Sequence, residues 1–463
     1  MAEPRGILAD IAKAKRAEVR SRFEGIALDA LRLSAQPTTR RLSTVIAKPG
    51  ARFILEIKKA SLSQGPIRTN ADPAGLARGY DGVADALSVL CDGAFFGGSL
   101  ADLTAARTAF AGPVLAKDFF VDPRQVVEAR IAGADAVLVM LSLVDDILAR
   151  ALLDEAQRFG MDALVEIHDE TEMQRAQALG AKLVGINNRD FRDLSVDLAT
   201  TKRLAPLAGD RLVIAESGIA TGSDVERLAP SVDGFLIGTS LMRAADPARA
   251  ARALIFGATK ICGLRTKADL DASWQATYAG LIFVPGTARA VSRQVGSALA
   301  GRARTNGMLP VGIFRAASPS DVAKTARDLN LHAIQLHGGE DAAYVRALRS
   351  KMPNGCEIWT AVSVGRDQLT DRGGDRLLFD NDDGGSGKAF DWSAIGSHPA
   401  LPRALLAGGI GPDNAIAARR LGSHAIDVGS SVESAPGIKC PAKIAALFET
   451  LRAQSRTEVR QCA

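Results

Sequence analysis

The chain has 463 residues, 47% of them hydrophobic and 24% charged, with a net charge of +5. That length exceeds one ordinary domain and suits two barrels of roughly 200–250 residues, each with enough chain to bury a core. Lysines and arginines are dispersed rather than gathered in a basic stripe with stacking aromatics, which argues against a nucleic-acid partner, and no apolar run reaches membrane-spanning length.

The first element, ILADIAKAKRAEV from Ile7, reads as an extra helix and lacks the apolar core of a secretory peptide. A loop with Pro37 and Pro49 follows. Eight short apolar runs come next: FILEIKKAS from Phe53, ALSVLCD from Ala86, VLAKDF from Val114, AVLVML from Ala136, ALVEIH from Ala163, LVGINNRD from Leu183, RLVIAESGI from Arg211 and GFLIGTSLM from Gly234. The rhythm then repeats with KICGL from Lys260, GLIFVP from Gly280, PVGIFR from Pro310, AIQLHG from Ala333, IWTAVSV from Ile358, RLLFDND from Arg376, RALLAGGI from Arg403 and AIDVGSSVE from Ala425. Their β-branched and leucine-rich character predicts strands buried on both faces of a parallel sheet.

Amphipathic stretches lie between the runs. DPRQVVEARIAG (Asp122–Gly133) and SPSDVAKTARDLN (Ser318–Asn330) each open with a capping residue and a proline and end in Gly or Asn, the start and stop signals of helices. Eight strand–helix units, repeated, predict an α/β chain of two consecutive (β/α)8 TIM barrels. A doubly wound open sheet is the alternative, and the count of eight in each half favours closure. The helix AARALIFG stops at Gly257 before KICGL, so the predicted domains are residues 1–256 and 257–463.

Cysteines 91, 262, 356, 440 and 462 are odd in number and irregularly spaced, which predicts free thiols and a reducing, cytoplasmic setting. No pair has zinc-ligand spacing and the histidines form no cluster, so no metal site is expected.

Polar residues at the carboxyl ends of barrel strands read as active site. In the first half these are Glu56, Lys58, Lys117, Glu166, Asn187, Arg189, Glu216 and Ser217. Each alone reads more readily as a structural pair. Together they burden one barrel mouth with charges too costly to bury without mutual pairing or a charged ligand, and they suit general acid–base chemistry on a polar substrate. Gly218, Gly238 and Thr239, after strands seven and eight, stand where backbone N–H groups meet a phosphate. In the second half Cys262, Arg289, Gln335, His337 and Asp380 follow the same logic, with Gly408, Gly409, Gly429 and Ser430 as the phosphate turns. A buried cysteine is ordinarily a small hydrophobe; at a strand end opposite an aspartate it reads as a candidate base. His337 alone reads as a hydrogen-bonding residue. The loop GGSGKAFDW, with Gly385, is flexible enough to fold over a ligand.

The segments ExKKAS, LAKDF, EIH, GINNRD, IAESGI and FLIGTSLM resemble the indole-3-glycerol-phosphate synthase family over residues 1–256. KICGL, IFVPGTAR, QLHG, the aspartate before GGSGKAFDW, LAGGI and DVGSSVE resemble the phosphoribosylanthranilate isomerase family over residues 259–453. The resemblance implies two consecutive steps of tryptophan biosynthesis on one chain, with no metal or organic cofactor. It implies Lys117 as general acid and Glu166 as its acid–base partner, with Glu56, Lys58, Asn187, Glu216, Ser61, Arg189 and Ser217 completing the first site. In the second it implies Asp380 as general acid, Cys262 as base and Arg289 on the anthranilate carboxylate; as a nearby cation Arg289 is also expected to favour the thiolate. Leu62 stands where that family usually has proline, Cys440 where aspartate is commoner, and DVGSSVE rearranges the small residues of its phosphate loop. Rival readings are another pair of phosphosugar barrels, or one active barrel with the second kept as a binding domain. A monomer is expected.

Overall fold

The computed structural model describes residues 6–365, 369–381 and 390–462. Gly385, the loop glycine expected to contact substrate, lies outside the described residues. The chain divides into two compact units, one running to Ala251 and resumed from Ala453, the other Arg252–Arg452. Among the described residues no helix is long and apolar enough to cross a membrane.

The first unit opens with α1 (Ile7–Arg22), whose buried Leu8, Ile11, Ala12, Lys15 and Val19 form one face at helical spacing. Eight parallel strands then close into a barrel: β1 (Arg52–Ile57), β2 (Ala86–Leu90), β3 (Val114–Lys117), β4 (Ala136–Met140), β5 (Asp162–Ile167), β6 (Leu183–Asn187), β7 (Leu212–Glu216) and β8 (Gly234–Ile237), with β8 pairing back to β1. The open-sheet alternative is thereby set aside. Register brings the polar strand ends to one level, with Glu166 opposite Met140 and Gly185, and Glu216 opposite Asn187 and Leu236. The segment at 122–133 forms α2 (Pro123–Ile131), capped by Asp122 and closed by a reciprocal bond with Gln125, and Gly133 follows in the left-handed region.

The second unit repeats the plan with β9 (Thr259–Cys262), β10 (Tyr278–Ile282), β11 (Leu309–Phe314), β12 (Ala333–Leu336), β13 (Glu357–Ser363), β14 (Arg376–Asp380), β15 (Leu405–Leu406) and β16 (Ala425–Val428), again closed through β9 and β16. Its interior is filled by Tyr278, Val311, Trp359, Leu378 and Leu405 with small alanines between them. The segment at 318–330 begins with Ser318 accepting the Asp321 N–H and Pro319 in the first turn, as its sequence signals.

The sequence boundaries place the C-terminus in the second barrel, but from Ala453 the chain packs on the first unit. Ala453 accepts the Ala51 N–H at 2.8 Å, Arg456 N–H reaches Val232 at 2.9 Å, and Thr457 Oγ1 donates to Asp233 at 2.6 Å. Glu458 accepts the Gly50 N–H at 2.8 Å. All of these partners precede β1 or β8, so the segment caps the amino end of that seam.

Candidate active site

The carboxyl end of the first barrel holds a cavity of about 430 Å³ lined by Glu56, Lys58, Ser61, Lys117, Glu166, Asn187, Arg189, Ser217, Gly218, Gly238 and Thr239. Glu216, expected with them, lies at its base through Lys117, whose Nζ is 2.8 Å from Glu216 Oε2 and 3.5 Å from Glu56 Oε2. Lys58 Nζ takes the other Glu56 oxygen at 2.7 Å. Asn187 Nδ2 donates to Glu166 Oε1 at 3.0 Å, and its Oδ1 accepts the Arg189 N–H. The Arg189 guanidinium donates to the Leu194 carbonyl at 2.8 Å. Apolar walls come from Phe96, Phe119, Phe191, Leu138 and Met140.

Burial sets the electrostatics. It favours the neutral form of Glu56, but Lys58 and Lys117 outweigh it and hold that carboxyl below its usual range. It opposes the charge on Lys117, yet Glu216, Glu56 and Glu166 hold the ammonium well above the ordinary lysine value. For Glu216 burial prevails over the attraction of Lys117 and pushes the carboxyl up to about 7. The site therefore offers a persistent ammonium beside a carboxyl that exchanges protons near neutrality.

Ser217 and Gly218 both have positive φ (63° and 82°), turning the chain back at the cavity rim, and a Cβ on Gly218 would overlap Val196. Gly238 has an ordinary negative φ; a Cβ there would overlap the Glu56 carboxylate and lie 2.9 Å from Glu56 Cβ. Its glycine makes room for Glu56, a reason that the phosphate-turn reading did not contain.

The second barrel has a cavity of about 210 Å³ lined by Cys262, Arg289, Gln335, His337, Asp380, Gly408, Gly409, Gly429 and Ser430. Asp380 Oδ1 accepts the Asn381 N–H at 2.9 Å, and its Oδ2 is 3.4 Å from His337 Nε2. Gln335 Nε2 is 3.1 Å from His337 Nδ1. Gly408 and Gly409 both have positive φ. Arg289 is held by both oxygens of Glu433, at 2.9 and 2.8 Å, which leaves part of its donor fork for a ligand.

Arg289 and the Cys262 thiolate attract one another, as expected, but Arg289 is not the main cation acting on it. Burial pushes the Cys262 thiol up; the cations that counter it most are Lys260 and Lys439, while Asp427 adds to the rise. Lys260 Nζ is 2.7 Å from Asp427 Oδ2, with both side chains almost fully shielded. Register makes them Cα partners on β9 and β16. Sequence reading missed this pair although both motifs were in view; a Lys and an Asp inside buried strands were the available signal. It also missed Arg315 and Asn381 in the second cavity, and Asp92 and Asp118 in the first. Those two aspartates hold Lys15 of α1 at 2.6 and 2.9 Å.

Two closed parallel barrels, each with titratable groups and tight glycine turns at the carboxyl ends of its strands, define a tandem (β/α)8-barrel enzyme. The family pattern described as indole-3-glycerol phosphate synthase matches residues 8–254, and that of N-(5'-phosphoribosyl)anthranilate isomerase matches residues 259–450. The chain is 44% identical to the tryptophan biosynthesis protein TrpCF of Salmonella typhi over 96% of this chain and 99% of that one. It is 45% identical to TrpCF of Yersinia pestis over 86% and 84%. A solved phosphoribosyl anthranilate isomerase from Thermus thermophilus is 31% identical over 42% of this chain and 98% of its own, with a TM-score of 0.38.

The chain belongs to the family of fused indole-3-glycerol-phosphate synthase and phosphoribosylanthranilate isomerase enzymes of tryptophan biosynthesis. Its second barrel isomerises N-(5'-phosphoribosyl)anthranilate to the carboxyphenylamino-deoxyribulose phosphate, and its first converts that product to indole-3-glycerol phosphate with loss of CO2 and water.

Proposed function

We propose that the two sets of cavity residues carry these reactions as follows. In the second barrel Asp380 protonates the ribose ring oxygen as the C1–O bond opens. Cys262, as thiolate, removes the C2 proton to give the enol, which becomes the ketone. Arg289 meets the anthranilate carboxylate, and the turns at Gly408–Gly409 and Gly429–Ser430 offer backbone N–H groups to the phosphate. His337, 3.4 Å from Asp380, orients that acid.

In the first barrel Lys117 protonates the sugar carbonyl as the aromatic ring carbon attacks it. CO2 leaves, and Glu166 takes a proton from the sugar C1 methylene and returns one to the departing hydroxyl. Glu56 and Glu216 hold Lys117, Lys58 and Arg189 receive the carboxylate, and the turns at Ser217–Gly218 and Gly238–Thr239 receive the phosphate. The observation that carries this reading is the Lys117 ammonium gripped between Glu216 and Glu56 on the cavity floor. Lys117→Met should abolish indole formation while isomerisation continues; loss of both in a folded protein would refute the independence of the sites.

The same reading places a monomer in the cytoplasm. Cys91, Cys262, Cys356 and Cys440 are free thiols, as a reducing compartment keeps them. Sedimentation at working concentration tests the monomer.

A further inference from the structure

Outside the first cavity lies a separate groove of about 1010 Å³. Asn187, Arg189 and Phe191 form walls of both. His168, directly after β5, lines the groove but not the cavity. Its Nε2 is shielded from water, makes no hydrogen bond and stands 3.5 Å from Glu166 Oε1. Its Nδ1 is 3.0 Å from Glu172 Oε2, which also accepts the His168 backbone N–H at 2.7 Å. The Phe191 ring meets the imidazole edge-on at 5.5 Å. The result is a line, Glu166–His168–Glu172, from the cavity to a carboxylate on the groove wall whose side chain is 12% exposed.

The reaction supplies a need for such a line. The sugar carbonyl oxygen leaves as water and so takes up two protons. The C1 methylene gives back one. The ionised carboxyl leaves as CO2 and gives none, so each turnover draws one proton from solvent. Glu172 gives the line an end on the groove wall, outside the lining of the cavity that substrate fills.

We propose that His168 is a positioning residue that feeds this proton to Glu166 from the groove. A proton taken by Glu172 Oε2 passes to His168 Nδ1. The Nε2 proton moves to Glu166 Oε1, Glu166 delivers it to the departing hydroxyl, and the proton Glu166 then takes from the C1 methylene restores the Lys117 ammonium spent on the carbonyl. The imidazole ends neutral with its tautomer exchanged, and a ring rotation resets it. The Nε2–Oε1 gap must shorten for transfer, as hydrogen bonds at acid–base sites commonly do once substrate is bound. The imidazole is suited to the role: burial disfavours its charge, but Glu172 and Glu166 overcome this and raise its proton affinity above the usual histidine value.

The inference rests on Glu166 being the acid–base group. The test is steady-state kinetics of both half-reactions on the full-length protein, with circular dichroism and the two-barrel unfolding curve reporting an intact fold. His168→Asn should lower synthase kcat on the order of tenfold or more, leave KM near its native value, and regain turnover with added imidazole, which the groove admits. Glu172→Gln should lower kcat in the same sense. His168→Gln serves if His168→Asn does not fold. A native kcat in folded His168 variants, with Glu166→Gln inactive, would overturn the relay and leave the role of Glu166 standing. A parallel loss of kcat and rise of KM that imidazole does not rescue would also overturn it, assigning His168 to packing. An active Glu166→Gln would instead remove the acid–base reading beneath it.

Discussion

Substituting Gly238 by alanine should impair the synthase through Glu56 rather than through the phosphate. A Cβ at 238 would stand 2.9 Å from both Cβ and Cδ of Glu56. Carbon atoms settle at about 3.5–4.0 Å, so Glu56 must yield by roughly 0.6–1 Å. That movement pulls its oxygens away from Lys58 and Lys117, now at 2.7 and 3.5 Å. A misplacement of about 1 Å in a catalytic set costs on the order of 10²-fold in rate, or about 2.7 kcal/mol of barrier. Crowding adds a stability cost of about 1–3 kcal/mol. Steady-state kinetics on supplied carboxyphenylamino-deoxyribulose phosphate should show kcat reduced about 100-fold, with isomerase turnover unchanged. A Gly238→Ala enzyme with native kcat and only a raised KM would refute the argument and return the glycine to phosphate approach alone.

In the isomerase, Cys262→Ala and Asp380→Asn should each lower turnover about 10²–10⁴-fold while the synthase works on supplied intermediate; near-native turnover would reduce Cys262 to packing. Because burial raises its thiol, alkylation of Cys262 should be slow at neutral pH and accelerate toward pH 9 and above, and fast inactivation at pH 7 would contradict that environment. Asp427→Asn leaves the Lys260 charge buried without its partner and should destabilise the second barrel by about 3–5 kcal/mol in calorimetry; a Lys260→Met/Asp427→Leu pair should recover most of it. Glu433, held down to about 2 by Arg289 and Lys439 against burial, has its folded pKa below its unfolded one. Its contribution is therefore present above pH 4.5 and lost as pH falls toward 2. Glu433→Gln should flatten the acid limb of the unfolding curve, and an unchanged limb would refute the assignment.

Much of this molecule is legible before folding because buried parallel strands announce themselves as unbroken apolar runs. All sixteen runs became the barrel strands, and polar residues at their ends became the cavity walls. What stayed hidden depends on register or distant partners. Lys260 and Asp427 are 167 positions apart, and only closure of β9 onto β16 makes them neighbours. The engagement of Arg289 by Glu433 has the same origin. Gly238 was singled out for one reason and carries another, since nothing in its surroundings names Glu56. The helix at Arg456–Cys462 is short and polar, with no period that says which barrel it covers.

That last segment ties the first barrel to the timing of its own synthesis. Ala51 N–H and Asp233 find Ala453 and Thr457 only after the whole isomerase has been made. About 200 residues separate Ala251 from Ala453, and at about 5–20 residues per second the ribosome needs roughly 10–40 s to bridge them. During that interval the nascent synthase carries an uncapped seam between β8 and β1, while the isomerase emerges with every strand it needs. A gene cut at residue 256 would make that uncapped state permanent, so the segment from Ala453 belongs with the first barrel in any division of the chain.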